Sequence, residues 1–210
     1  MPEVASTVIL VEDDAELRTA VDALLRSVGL RTHLYASASD FLKSARPTGP
    51  ACLVLDVRLP GLGGLDLQAE LTKSGVALPI VFITGHGDIP MSVRAMKGGA
   101  IEFLTKPFRD QDLLDAVQVG LEQDRVRRQR DASTAQLRTL YESLSPRERQ
   151  IMALVVTGRL NKQIAATIGV AEITVKVHRS SIMRKMQAPS FADLVLMAEK
   201  LNLSSQLHRA

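Results

Sequence analysis

The chain has 210 residues, 46% hydrophobic and 23% charged, a balance that excludes a disordered polypeptide. No apolar run approaches the roughly 20 residues that cross a bilayer, residues 1–7 lack the basic-then-apolar pattern of a secretory leader, and the single cysteine, Cys52, excludes an internal disulfide and predicts a reducing, cytoplasmic setting. The net charge of +3 is unevenly spread: residues 1–121 hold 11 Lys/Arg against 15 Asp/Glu, and residues 143–210 hold 10 against 4, so an acidic front precedes a basic module suited to a polyanion.

In chain order, Val8-Ile9-Leu10-Val11 is a strand of the buried type that runs into Glu12-Asp13-Asp14. Leu17, Val21, Leu24, Leu25 and Val28 recur at helical spacing and end at Gly29. Residues 31–36 predict a second strand and 39–45 a short helix. Cys52-Leu53-Val54-Leu55 forms a continuous apolar run that ends in Asp56, before Pro60-Gly61 turns the chain. Residues 65–74 predict a helix and 79–84 a fourth strand ending in Thr84. A helix from Pro90 to Gly98-Gly99 follows, then a strand at 100–104 ending near Lys106-Pro107, then a helix from Asp110 or Gln111. Cys52 is expected to be an inert packing residue.

This alternation predicts an α/β fold, a doubly wound five-stranded parallel sheet of the flavodoxin-like kind, over residues 1–121. An ionised group is costly to bury unpaired, and ligands of such sheets bind at the carboxyl ends of the strands. Glu12-Asp13, Asp56, Thr84 and Lys106 each stand at or just past a different strand end, so folding should gather them. A single strand-end acid is commonly a helix cap or a solvated loop residue; four segments agreeing indicate a site. Clustered carboxylates repel unless a cation sits among them, and magnesium, or manganese, is the natural partner for oxygen donors. Asp56 would then attack a phosphoryl group, with Thr84 and Lys106 meeting its oxygens.

On these residues the front of the chain resembles the receiver domain of bacterial two-component response regulators. The phrase Thr84-Gly85-His86-Gly87-Asp88-Ile89-Pro90-Met91 is similar to the FixJ subgroup. The resemblance implies Asp56 as phosphoacceptor, with Thr84 and Lys106 assisting and Thr84 and Phe103 as switch residues. It implies Mg2+ held by Glu12, Asp13, Asp56 and the backbone carbonyl of Arg58, and a cis Lys106-Pro107 bond. Two departures stand out. Glu12 replaces the commoner aspartate, and Gly98 replaces an alanine, which is expected to loosen the end of the fourth helix. Asp14 is expected to cap the first helix instead of joining the acidic set.

Residues 122–142 contain no Gly or Pro and carry Arg125, Arg127, Arg128 and Arg130, predicting a polar helical linker that extends the receiver's last helix. Residues 143–210 form an all-α module of four helices. Ser145-Pro146-Arg147-Glu148 is a helix start, Asn161 is expected to cap a second helix, and Gly169-Val170 turns into a third helix with Val175, Ile182 and Met186 inward and Lys176, His178, Arg179, Arg184 and Lys185 outward. Two helices so joined form a helix-turn-helix. Leu144-Ser145-Pro146-Arg147-Glu148, Asn161-Lys162-Gln163-Ile164-Ala165 and Thr174-Val175-Lys176-Val177-His178 resemble the LuxR-type (NarL/FixJ) DNA-binding domain. That resemblance places Lys176, Val177 and Ser180 nearest base edges, and Arg147, Lys162, Thr174, His178 and Arg184 at phosphates, with Arg179 at either.

The expectation is a phosphorylation-controlled transcriptional regulator, not an enzyme. Its implied partners are a sensor histidine kinase, double-stranded promoter DNA, a second copy of itself when phosphorylated, and RNA polymerase; no membrane is expected. Two other readings are an aspartate-nucleophile phosphatase, disfavoured by Arg58 where a second acid would stand, and a DNA-binding protein whose front domain never takes phosphate. The four histidines, His33, His86, His178 and His208, are too scattered for a metal site.

Overall fold

The structure is a computed structural model that describes residues 5–85 and 88–203. His86, Gly87 and His208 lie outside the described residues. The chain divides into two units, residues 1–128 and 129–210.

In the first unit the apolar runs become strands β1 (Thr7–Val11), β2 (Arg31–Tyr35), β3 (Ala51–Asp56), β4 (Ile80–Thr84) and β5 (Glu102–Thr105), all parallel, in the order β2-β1-β3-β4-β5. Every residue of β1, β3 and β4 is buried, whereas the edge strands β2 and β5 expose side chains. That is why the three central runs are continuously apolar and the outer two are not. The helices are α1 (Ala15–Ser27), α2 (Ala38–Lys43), α3 (Gly64–Lys73), α4 (Ile89–Lys97) and α5 (Asp110–Glu142). Alternate strand residues feed two cores. Ile9, Leu53, Leu55 and Phe82 pack with Phe41, Leu67 and Ala95, and Leu10, Cys52, Val54 and Ile83 pack with Leu25, Leu113 and Val117.

Register brings the strand ends level: Val11 pairs with Leu55, Asp56 with Ile83 and Thr84 with Thr105. Strand order reverses between β1 and β3, the switch point at which such sheets bind ligands. Several boundaries shift by a residue or two from the sequence expectation, and two of the shifts have a visible cause. β5 starts at Glu102 because Gly99, at φ +87°, closes α4 and the Ala100 N–H returns to the Ala95 carbonyl at 3.1 Å. α3 starts at Gly64, where a Cβ would fall 2.2 Å from the Asp56 carbonyl oxygen, so only glycine lets the helix begin against the end of β3.

α5 continues past the core of the first unit as one helix to Glu142. The stretch read as a polar helical linker holds a buried acid near its start. Asp124 is fully buried, accepts from the Ala51 N–H at 2.9 Å and from Arg128 at 2.6 Å, and pairs with Arg127. Burial pushes its carboxyl up, but the two guanidiniums and the amide hold it below the ordinary range.

In the second unit α6 (Pro146–Val155), α7 (Asn161–Ile168), α8 (Glu172–Lys185) and α9 (Phe191–Lys200) enclose a core of Ile151, Met152, Ile164, Val175, Ile182 and Leu194, with Leu140 and Tyr141 of α5 packed against it. Gly169, at φ +68°, makes the left-handed turn between α7 and α8. Asn161 is not the cap of α7. The cap residue is Leu160, whose N–H is satisfied by Gln163 Oε1 at 2.9 Å, and Asn161 is already helical.

Candidate functional site

At the carboxyl edge of the sheet, Glu12 follows β1, Asp56 ends β3, Thr84 ends β4 and Lys106 follows β5. The Lys106 ammonium donates to Glu12 Oε2 at 2.7 Å and to Asp56 Oδ2 at 2.6 Å. The Arg58 N–H donates to the other Asp56 oxygen at 2.8 Å. Glu12, Asp56 and Thr84 are buried while Asp13 is exposed, so the cluster opens to solvent on one side. Arg18 donates to the Glu12 and Asp13 carbonyls at 2.6 and 3.2 Å and fixes the loop that carries both acids. As expected, Asp14 caps α1, accepting from the Glu16 and Leu17 amides. The Lys106-Pro107 bond is cis.

The electrostatics follow from burial and proximity. Desolvation, joined by the Asp56 charge, raises the Glu12 carboxyl above its usual range, with Lys106 opposing. Burial alone would lower the Lys106 ammonium, but its hydrogen bonds to Asp56 and Glu12 raise it, so it stays charged. Carboxylate oxygens of Glu12, Asp13 and Asp56 all lie within 4.8 Å of one another. Three hard oxygen donors at that spacing suit a small divalent cation.

Behind the cluster, Phe103 is half-buried, its ring 6.3 Å from that of Phe82. Gly98 does not leave the end of α4 loose. The side chain of Gln68, itself buried, occupies the space below it and donates from Nε2 to the Ala95 carbonyl at 3.1 Å. That bond ties α3 to α4.

The second candidate surface is the outer face of α8. Ile173, Lys176, Val177, Ser180 and Arg184, spaced i, i+3, i+4, i+7 and i+11, form one exposed stripe. Thr174, His178 and Arg179 flank it and are half-buried, and Lys162 on α7 is exposed. Arg179 is held by Asn161 Oδ1 at 2.8 Å and lies 5.3 Å from the Phe191 ring centre. The Arg147 guanidinium is engaged within the module, donating to the Ile168 carbonyl and to Gln150, both at 2.7 Å.

One outward expectation is corrected. Lys185 turns back to the buried Glu148, 2.7 Å away, which also accepts from Ser181 Oγ and the Ser145 N–H at 2.7 Å each. The Lys185 ammonium, with these further donors, holds the Glu148 carboxyl down to about 2. Glu148 was legible as a capping acid; its reach to α8 was not.

Comparison with known proteins gives two matching families. Residues 8–118 match the response regulator receiver domain, and residues 142–198 match the luxR family of bacterial regulatory proteins. Nodulation protein W of Bradyrhizobium diazoefficiens is 56% identical over 198 residues, 94% of this chain and 87% of that protein. Response regulator protein TodT of Pseudomonas putida is 45% identical, over 96% of this chain and 88% of that one. Transcriptional regulatory protein FixJ of Azorhizobium caulinodans is 39% identical, over 94% and 93%. Among solved structures, response regulator StyR matches with a TM-score of 0.84 and 50% identity, over 93% of this chain and 99% of that one. Full-length FixJ from B. japonicum matches with a TM-score of 0.56 and 36% identity, over 94% and 97%.

Proposed function

Because the chain belongs to the two-component response regulators of the FixJ/NarL type, a receiver domain followed by a LuxR-type DNA-binding domain, we propose that Asp56 is the residue through which it is controlled. The observation that carries this is the Lys106 ammonium bridging Glu12 and Asp56 at the sheet's switch point. A carboxylate at that edge, with one oxygen on the Arg58 amide and the other on a lysine, is fixed in place as a nucleophile.

An Asp56 carboxylate oxygen attacks the phosphorus of a phosphohistidine on a sensor histidine kinase. The new P–O bond forms as the P–N bond breaks, and the imidazole leaves with its electron pair and takes up a proton. Lys106 pairs with one phosphoryl oxygen and the Thr84 hydroxyl donates to another. Glu12, Asp13, Asp56 and the Arg58 carbonyl would hold Mg2+, or Mn2+, which supplies neutralisation of phosphoryl charge. With Arg58 two residues past the nucleophile there is no second acid to drive turnover, so the receiver assists only its own phosphorylation and dephosphorylation.

The added charge draws Thr84 and Phe103 inward and reshapes the face of α4 and β5, so that two copies pair on two DNA half-sites. Moving such a switch from mostly off to mostly on takes about 5 kcal/mol, within reach of a few charge-assisted hydrogen bonds at about 1.5–3 kcal/mol each. Lys176, Val177 and Ser180 face base edges, Lys162, Thr174, His178, Arg147 and Arg184 place the phosphate backbone, and Arg179 serves either kind of contact. A protein that meets both a kinase and the chromosome works in the cytoplasm, with RNA polymerase as its further partner.

The test is incubation of the full chain with acetyl phosphate and Mg2+, with phosphorylation read by intact mass and DNA binding by mobility shift. The wild type should gain one phosphoryl group and bind promoter DNA more tightly, and Asp56→Asn should do neither. Equal phosphorylation of Asp56→Asn would overturn the assignment.

A further inference from the structure

The exposed stripe of α8 contains two β-branched aliphatic side chains among its polar ones. Ile173 is 66% exposed and Val177 63% exposed, and neither joins the core of the module. Single exposed apolar residues need no explanation, but this pair is one helical turn apart on one face, where side chains three or four residues apart are neighbours. Helix stability does not call for them, since solvated helix positions favour Ala, Glu, Lys and Arg over β-branched residues. Their stiff χ1 makes them rigid contacts that lose little entropy on binding.

The surroundings select the occupant. Lys176 and Arg184 on the same stripe, with Lys162 exposed on α7, in a module with 10 Lys/Arg against 4 Asp/Glu, attract a polyanion. A recognition helix sends its amino-terminal residues to the base edges, and Ile173 is the second residue of α8. In the major groove the apolar feature of a base pair is the C5-methyl group of thymine. We infer that Ile173, paired with Val177, reads thymine methyl groups, so that Ile173 is a specificity-determining residue and each half-site contains thymine at a fixed place. This rests on the reading of α8 as the DNA-facing helix.

The test starts from the phosphorylated full chain and a pool of random duplexes, from which bound sites are selected. Each thymine of a selected site is then replaced by uracil, which removes only the methyl group. The wild type should lose about fourfold in affinity at one or two positions per half-site, the factor that matches burial of a single methyl. Ile173→Ser, with its melting temperature checked against wild type, should bind the thymine site more weakly by a similar factor and show no uracil penalty at one of those positions. Ile173→Val should keep the penalty. The inference is overturned if uracil is silent at every position, or if the penalty pattern persists in Ile173→Ser. It is equally overturned if Ile173→Ser binds DNA as wild type does and loses only activation by RNA polymerase, which would make the pair a protein contact. Failure to select any duplex would instead sink the assignment of α8 to DNA.

Discussion

A Cβ placed on Gly98 would lie 2.5 Å from Oε1 of Gln68, so these two residues, one capping α4 and the other on α3, share a single volume. Gly98 has φ −75°, a conformation open to alanine, so the need for glycine comes from its neighbour and not from the backbone. Gly98→Ala is expected to displace the Gln68 amide from the Ala95 carbonyl and destabilise the receiver by about 1–3 kcal/mol, the cost of a buried polar group left unpaired. Gln68→Ala should cost a comparable amount. The double variant should be more stable than the sum of the two changes implies, because each residue answers the other. Urea unfolding of the four proteins measures the coupling, and strict additivity would show that the two positions do not share space.

Glu148 gives the DNA-binding module a defined acid sensitivity. Its carboxyl is held down to about 2 by Lys185, Ser145 and Ser181, against an ordinary value of 4.5. A depressed acid contributes stability that is complete above the unfolded value and is lost as pH falls through the folded one, so the window runs from about 4.5 to about 2. Glu148→Gln should remove this pH dependence and cost about 1.5–3 kcal/mol at neutral pH, the range for hydrogen bonds to a charged group. The chain has no Trp and two Tyr, of which Tyr141 packs against the module's core. Tyrosine fluorescence in a Tyr35→Phe background therefore follows this module alone.

The contrast between these residues and the acidic cluster shows what a sequence can disclose. Asp56, Thr84 and the residues after β1 and β5 are legible because each interrupts or ends a continuous apolar run, and a parallel sheet must bring such ends to one edge. Glu148 is half legible, since a serine three residues earlier marks a helix start whatever else the acid touches. Gln68 leaves no local trace, and Asp124 shows only a helical ion-pair spacing to Arg127 and Arg128. Their backbone partners, Ala95 and Ala51, are 27 and 73 residues away, and a polar residue within a helical pattern looks solvated until tertiary packing buries it. Asn161 misled for a related reason. Its side chain is committed to Arg179, and the capping role passes to Gln163.

Arg18 should matter to metal binding without touching the ion. Its guanidinium fixes the carbonyls of the two acids that follow β1, and the partners that orient ligands typically contribute about 10–100-fold in affinity. Calorimetric titration of Mg2+ should show a loss of at least about tenfold for Asp13→Asn, a proposed ligand, and about tenfold for Arg18→Ala. Arg58→Ala should bind as wild type does, because only its backbone is used. Unchanged affinity in Arg18→Ala would mean that the loop holds its geometry without the guanidinium.

Cys52 and Gly120 set opposing effects against each other in a way that fixes the sign of a substitution. Gly120 lies within α5, where helix propensity alone would make Gly120→Ala stabilising by about 1 kcal/mol. Its Cβ, however, would fall 2.6 Å from Cys52 Sγ and 3.4 Å from Cβ of Pro79, so the helix would have to lift from the sheet, at about 1–3 kcal/mol for overpacking. The steric cost should win, and Gly120→Ala should be destabilised. Adding Cys52→Ala removes the sulfur atom in the way and should recover stability relative to Gly120→Ala alone. Burial also pushes the Cys52 thiol up to about 12, so the folded wild type should resist alkylation by iodoacetamide at neutral pH. Labelling should then occur only through opening of the core and accelerate in Gly120→Ala. A thiol that alkylates in the folded wild type as fast as in urea would show that α5 does not cover β3 as tightly as these distances require.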